Sequence, residues 1–351
     1  MKRFTKYFGY TTRNTTEGGS SRNNAIISEL EKIGCEMYIY FPTNRLFRIL
    51  KGLVFIVQLL AYKDEKIFIH YTIFRYMFTD RIICNPVVLY CIINVLSFSG
   101  SRNKIMIEVN DLPHEQAIDL DLPHNKLDLF DKKLYKLNNL KFVFASISMR
   151  NYVVKQHSLD DARTSVLING SPLLSQSQVP LQKTQSNIIN FVYAGSLNKG
   201  RQIEQLINIF NNTQHNLFLL GDGGEWIINE FGEFKNIKYL GSKTEHQALE
   251  FVASCDIGLI PYDDSKFYYN ICFPTKASFY ICAGIPFLST NLEELKLHFG
   301  SEVAFYYSIN DWGSFICEKL YPDLILSMKD NIKKISANYN WSNLIINWLN
   351  K

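Results

Sequence analysis

The sequence contains no CxxC pair and no cysteine–histidine cluster at zinc-binding spacing, and its seven cysteines (35, 84, 91, 255, 272, 282 and 317) are an odd number. A disulfide framework and a structural zinc site are thereby excluded as organising devices, and reduced thiols in a cytosolic protein are expected. Long apolar runs are also lacking. The longest, Leu53–Tyr62 and Pro86–Gly100, fall short of the roughly 18–20 residues that span a bilayer. The opening MKRFTKYFGYTTRN carries charge without an apolar stretch, so no secretory leader is expected. No GxGxxG follows the first candidate strand, which argues against a nicotinamide dinucleotide. No charge of one sign dominates either: 37 basic against 33 acidic side chains give +4, too balanced for a dedicated nucleic-acid binder.

What is present is ordinary globular composition, 47% hydrophobic and 20% charged over 351 residues, enough for two domains of about 100–200 residues each. Residues 1–170 hold 23 basic and 16 acidic side chains, and 171–351 hold 14 and 17, so the two halves are expected to meet different partners. The front half reads as strand (Phe4–Tyr10), polar loop with Gly18-Gly19, helix (Asn24–Ile33), a capping Gly34 and strand (Glu36–Tyr40). Short apolar strands follow at Ile67–His70, Lys104–Val109 and Phe142–Ser146, spaced for crossover helices. Such alternation implies a parallel sheet wrapped by helices. Ser171–Ser186 is polar, proline-containing and aperiodic, as linkers are. The alternation then restarts with strands at Ile188–Ala194, Leu217–Leu220, Lys238–Leu240, Ile257–Ile260 and Pro286–Ser289. Helices are expected at Ile203–Phe210, Glu245–Ser254 and Lys276–Ala283. The expected domains are therefore 1–170 and 187–329, with a helical tail at 330–351, whose Trp341 and Trp348 share a face and pack across both.

The rear half carries a particular order of local signals: FVYAGSLNKGRQIEQLI (191–207), LFLLGDGG (217–224), IKYLGSKTEHQALEFVASCDIGLIPY (237–262) and FPTKASFYICAGIPFLST (273–290). That order resembles the nucleotide-sugar-binding half of GT-B glycosyltransferases of bacterial surface-polysaccharide assembly, either family 4-like or of the glucosyl- and galactofuranosyl-transferase sub-branch. The resemblance covers roughly 160 residues. It implies an α/β fold of two Rossmann-like parallel-sheet domains facing a cleft, an acceptor-binding domain in front, a nucleotide-sugar domain behind, and a C-terminal helix crossing back to the first.

The residues themselves carry a coherent chemistry. Gly195-Ser196 ends a strand where open α/β sheets bind ligands, and glycine there lets backbone N–H groups approach an anion. Lys199 and Arg201 follow, either as solvated loop charges or as counter-ions of a diphosphate, which Arg201 can hold bidentately. Pro274-Thr275-Lys276 opens a helix, with Thr275 as the expected N-cap; helix N-termini are anion sites, and Lys276 adds a full charge. Gly241-Ser242 ends another strand at the same edge, which in the resembling enzymes meets the nucleobase. Tyr239 and Tyr262 are each core or pocket wall. Many retaining members of the superfamily carry two glutamates eight positions apart; the matching positions here are Ile271 and Phe279. The pattern Lys276-x-Ser278-x-Tyr280 is that of the sub-branch, which places Ser278 among the expected donor residues.

In the front half, Asp111 and His114 follow the Lys104–Val109 strand, where a carboxylate or imidazole can accept a proton from an acceptor hydroxyl. His70, ending another strand, is a second candidate. Gly18-Gly19-Ser20 before a helix resembles an anion-capturing turn for donor phosphates or acceptor. Asp119-Leu120-Asp121 mimics a metal-binding DxD but sits in the wrong half, and no metal is expected. Arg45–Tyr62, basic and apolar with helical period, reads either as a helix lying in an anionic membrane surface or as a core helix. Together these readings give a metal-independent transferase of a nucleoside-diphosphate sugar, a UDP-sugar first. Its acceptor is a glycan or lipid-linked sugar, and it is cytoplasmic or peripheral at the inner membrane face. The rivals are a non-catalytic GT-B subunit that stabilises a partner, and a sugar-nucleotide epimerase.

Overall fold

The computed structural model describes residues 3–12, 18–124, 126–174, 188–232 and 234–351. Two compact units divide it. The first contains Arg22–Ile168, the first strand and Ile345–Lys351; the second contains Asn169–Leu344 together with residues 18–21 at the start of the first helix. Most of the expected linker, 175–186, lies outside the described residues.

The first unit is built on a six-stranded parallel sheet, β1 (Lys6–Tyr10), β2 (Glu36–Tyr40), β3 (Lys66–His70), β4 (Lys104–Val109), β5 (Leu140–Phe144) and β6 (Thr164–Val166), in the order β2-β1-β3-β4-β5-β6. Its inner strands are nearly continuous apolar runs, buried after the first residue in β3 and β4, as a sheet covered on both faces requires. Helices Gly18–Lys32, Arg45–Ala61, Thr72–Ile83 and Pro86–Arg102 connect successive strands. Asn44 and Asn85 cap two of them, each side chain accepting from backbone N–H groups of the first turn. Tyr7, Phe8, Phe68, Phe74, Phe130, Phe142 and Phe144 fill the core.

The second unit repeats the plan with β7 (Asn190–Ala194), β8 (Asn216–Leu220), β9 (Ile237–Gly241), β10 (Ile257–Ile260), β11 (Phe287–Ser289) and β12 (Ala304–Tyr306), all parallel, in the order β12-β11-β10-β7-β8-β9. Phe191, Tyr193, Leu217, Leu219, Leu259 and Trp312 lie in its core.

Three expectations change. The first helix begins at Gly18, so Gly18, Gly19 and Ser20 form its opening turn and not a turn ahead of it. Strands β6 and β12 are edges of only three residues, too short for periodicity to mark them in the sequence. The tail is two helices, Pro322–Ile335 and Trp341–Asn350. They are parted where Ser171 bonds the backbone on either side of Asn340, its N–H donating to Tyr339 and its carbonyl accepting from Trp341. The division falls within the closing helix: Trp341 packs on Gly170 in the second unit, while in the first Trp348 stacks on Phe4, packs at a tilt on Phe68 and donates to Ser165 Oγ at 3.1 Å.

Candidate functional site

In the second unit the carboxyl ends of β7, β8, β9 and β10, with the start of the Thr275–Ala283 helix, surround a cavity of about 500 Å3. Strand ends converge here because the backbone is compressed at two glycines. Gly195 (φ +145°) donates to the Leu220 carbonyl at 2.8 Å, and Gly221 (φ +150°) lies so close that a Cβ on it would overlap the Gly195 carbonyl oxygen. Only glycine tolerates both the dihedral and the approach.

The Thr275–Ala283 helix presents its N-terminus to this cavity through Thr275 and Lys276. Pro274, with φ −63° and ψ 125°, is the N-cap residue, and no side chain caps the helix. This corrects the expected Thr275 cap: the proline holds the chain extended up to the helix, so Thr275 becomes the first helical residue and lines the cavity. The helix is fixed from within by Tyr280, whose hydroxyl donates to the Leu259 carbonyl at 3.0 Å and accepts from Ala194 N–H at 3.1 Å, tying it to β10 and β7.

Lys276 is held in an aromatic cradle. Its ammonium donates to the Tyr262 hydroxyl at 3.2 Å and lies 4.9 Å and 5.3 Å from the Tyr193 and Tyr262 ring centroids. Burial lowers its pKa, and the oxygens of Tyr193, Tyr262 and Tyr280 more than offset this, so the pKa ends above the ordinary lysine value and the group is charged at neutral pH. Arg201 also lines the cavity, joins no salt bridge among the described residues, and its charge is felt at Lys276 as a repulsion. Lys243 is a third cation on the wall. Of the acids there, Asp222 and Glu245, the second has its pKa raised by burial. Arg201 and Lys276, near enough for the charge of one to be felt at the other, line this cavity beside a helix N-terminus, an arrangement suited to an anion.

Of the expected donor residues, the cavity brings together Gly195, Ser196, Arg201, Ser242, Tyr262, Thr275 and Lys276. The others lie elsewhere. Lys199 pairs with Glu230 and lies over the Trp226 ring, as a solvated loop charge does. Gly241 acts through its backbone, accepting from Gly221 N–H at 3.0 Å. Ser278 is fully buried and donates to the Asn169 carbonyl at 2.6 Å, which anchors the helix. Tyr239 faces Gly224 and Glu225. Sequence reasoning does not single out Asp222 and Lys243, although both follow strand ends inside the quoted signals LGDGG and LGSK. Phe279, at the position matched to the missing second glutamate, lines the cavity as an apolar wall.

The first unit holds the remaining candidates. Asp111 lies in the three-residue connection between β4 and the Pro113–Asp119 helix, and accepts from Asn110 Nδ2 at 2.7 Å. His114 is in that helix's first turn, Nδ1 3.6 Å from Glu115 and the ring edge-on to His124. Asp119 and Asp121 lie at the far end of the same helix, Asp121 exposed. Among the described residues no group of three or more His, Cys, Asp or Glu side chains is arranged to hold a metal ion. His70 is fully buried beside the Arg22–Glu108 ion pair (2.7 Å), and burial lowers its pKa, so it is neutral.

No protein-family model matches the chain, and no curated protein matches its sequence. Solved structures do. Sucrose-phosphate synthase from Thermosynechococcus elongatus superposes with a TM-score of 0.71 at 11% identity, covering 98% of this chain and 97% of its own. WaaG, a glycosyltransferase involved in lipopolysaccharide biosynthesis, gives 0.68 at 10% identity, covering 98% of each chain. Anabaena HepE, solved with UDP and glucose, gives 0.63 at 13% identity, covering 99% of this chain and all of its own. The chain has the GT-B fold of these proteins, two parallel six-stranded sheets with flanking helices.

Proposed function

We propose that this chain is a GT-B glycosyltransferase. It takes a sugar from a nucleoside-diphosphate sugar, a UDP-sugar, and passes it to a glycan or lipid-linked sugar in bacterial polysaccharide assembly of the O-antigen or capsule type. One observation carries the reading: Arg201 and Lys276 meet at a helix N-terminus in a cavity at the carboxyl edge of a parallel sheet. A transferred sugar leaves behind a nucleoside diphosphate, on which negative charge grows as the glycosidic bond breaks. Fixed cations and backbone N–H groups already in place stabilise that charge without reorganising. The same groups do the work a divalent ion does elsewhere, so the transfer is metal-independent in this reading.

Support comes from the neighbours, since HepE is solved with UDP-glucose as well as with UDP. The acceptor side of the reaction belongs in this reading to the first unit, with Asp111 taking the proton of the attacking hydroxyl and His114 beside it. The test is donor turnover with a panel of UDP-sugars, followed as UDP release with and without glycan acceptors. A transferase consumes donor when acceptor is present. Donor converted to its epimer without acceptor, or never consumed although UDP binds, overturns the reading in favour of an epimerase or a non-catalytic subunit.

A further inference from the structure

The two tyrosines that flank Lys276 differ in what their hydroxyl protons do. Tyr193 donates to the Ser196 carbonyl at 2.9 Å, so its proton is engaged within the loop after β7, and its ring face lies toward the lysine, 4.9 Å from Nζ. Tyr262 stands in the opposite relation. An ammonium group has only donors, so the 3.2 Å bond between Lys276 Nζ and the Tyr262 hydroxyl occupies a lone pair of the phenol and leaves its proton turned away from the lysine. Among the described residues no acceptor takes that proton, and Tyr262 lines the cavity.

The hydroxyl is also held in place. Tyr262 comes just after β10, where the Thr290 hydroxyl donates to its carbonyl at 2.6 Å, and its ring packs against that of Tyr269 with centroids 4.8 Å apart. The Tyr269 pKa is raised by burial while Arg201 and Lys276 pull it down, which puts both cations within electrostatic reach of the tyrosine pair. A phenol that accepts from an ammonium group is polarised and becomes a stronger donor. The partner suited to such a proton, in a cavity that already carries Arg201 and Lys276, is an oxyanion.

We propose that the Tyr262 hydroxyl donates a hydrogen bond to the diphosphate of the sugar nucleotide, a contact additional to Arg201 and Lys276 that hands on part of the lysine charge. This deepens the donor-site reading and rests on it. The phenol keeps its proton throughout; its bond to a phosphate oxygen strengthens as the departing diphosphate gains charge, and it is oriented beforehand.

Calorimetric titration of UDP into the full chain and into Tyr262→Phe, Lys276→Met and the double variant tests the proposal. Tyr262→Phe keeps the ring and its packing on Tyr269 and removes only the hydroxyl. UDP affinity is expected to fall about tenfold, in line with a hydrogen bond to a charged group. In the Lys276→Met background, where nothing polarises the phenol, the same change is expected to cost a further factor of about three. Unchanged affinity in Tyr262→Phe overturns the proposal and leaves the donor site of Arg201 and Lys276 standing. A loss that vanishes in the Lys276→Met background overturns it too, because Tyr262 then acts only by holding the lysine. An unaltered chain that binds no UDP overturns the donor-site reading and the proposal with it.

Discussion

Gly195 makes room for Lys276: a Cβ built on the glycine would sit 2.5 Å from the lysine Nζ. The strand-end glycine and the helix lysine, 81 positions apart in sequence, are thus one device. The first clears the space in which the second places its charge between Tyr193 and Tyr262.

The donor site is tested most directly through that device. Lys276→Ala and Arg201→Ala each remove a charge-assisted contact worth roughly 1.5–3 kcal/mol, so UDP affinity by calorimetry is expected to fall about 10–150-fold in each. Gly195→Ala leaves both cations in place but displaces Lys276 and imposes a side chain at φ +145°. Its loss is expected to approach that of Lys276→Ala. Unchanged affinity in all three would remove the diphosphate from this cavity.

How far the site is legible in the sequence follows from the same geometry. Strands buried on both faces announce themselves as apolar runs, and β4 and β10 fall where the sequence places them. Edge strands of three residues carry no such signal. Within the Thr275–Ala283 helix, residues 275, 276 and 279 line the cavity while Ala277 and Ser278 are buried. Helical rotation thus sends Ser278, two positions after Lys276, to the opposite side. Family pattern marks both as donor residues; only the phase of the helix separates them. Lys199 and Arg201 are indistinguishable in sequence for a related reason. The loop that carries them decides which charge turns inward, and Glu230, which captures Lys199, comes from a helix 31 residues away.

Trp348 bears the anchoring of the closing helix in the first unit, between Phe4 at 5.9 Å and Phe68 at 5.4 Å. Trp348→Ala is expected to destabilise that unit by about 3–5 kcal/mol through lost burial and a residual cavity. Urea unfolding followed with and without UDP, which is expected to protect the other unit if it binds there, separates the two transitions. A variant with an unshifted first-unit midpoint would show that the contact is dispensable.

His70 gives a pH dependence of defined sign. Buried beside Glu108 and Arg22, its pKa is lowered by burial, with Glu108 opposing and Arg22 adding to the effect. The unfolded chain therefore binds a proton that the folded one refuses as pH falls below the ordinary histidine value of 6.5. Stability is lost on the acid side of that value and is insensitive to this group above it, with a slope of up to about 1.4 kcal/mol per pH unit. His157 and His215 are shifted the same way, so the contribution is isolated by comparing the native chain with His70→Phe between pH 7 and 5. Parallel curves would mean that the fold leaves the titration of His70 unshifted.

In the proposed function the acceptor side rests on Asp111. It follows β4 directly, in a connection too short to carry it away from the strand's carboxyl end, and its carboxylate is oriented by Asn110. Aspartate at such a position is suited to accept the proton of a hydroxyl whose oxygen attacks the sugar's anomeric carbon as the diphosphate departs. If it serves as that base, Asp111→Asn keeps shape and removes only the proton acceptor. UDP affinity is then expected to be unchanged, while turnover with saturating donor and acceptor falls about 10²–10⁴-fold. Inversion at the anomeric carbon, read by NMR of the product, is the companion expectation. Retention with a raised acceptor KM and little change in turnover would instead make Asp111 a positioning group. Near-normal kinetics in both parameters would remove it from the site and turn attention to His114, in the first turn of the following helix.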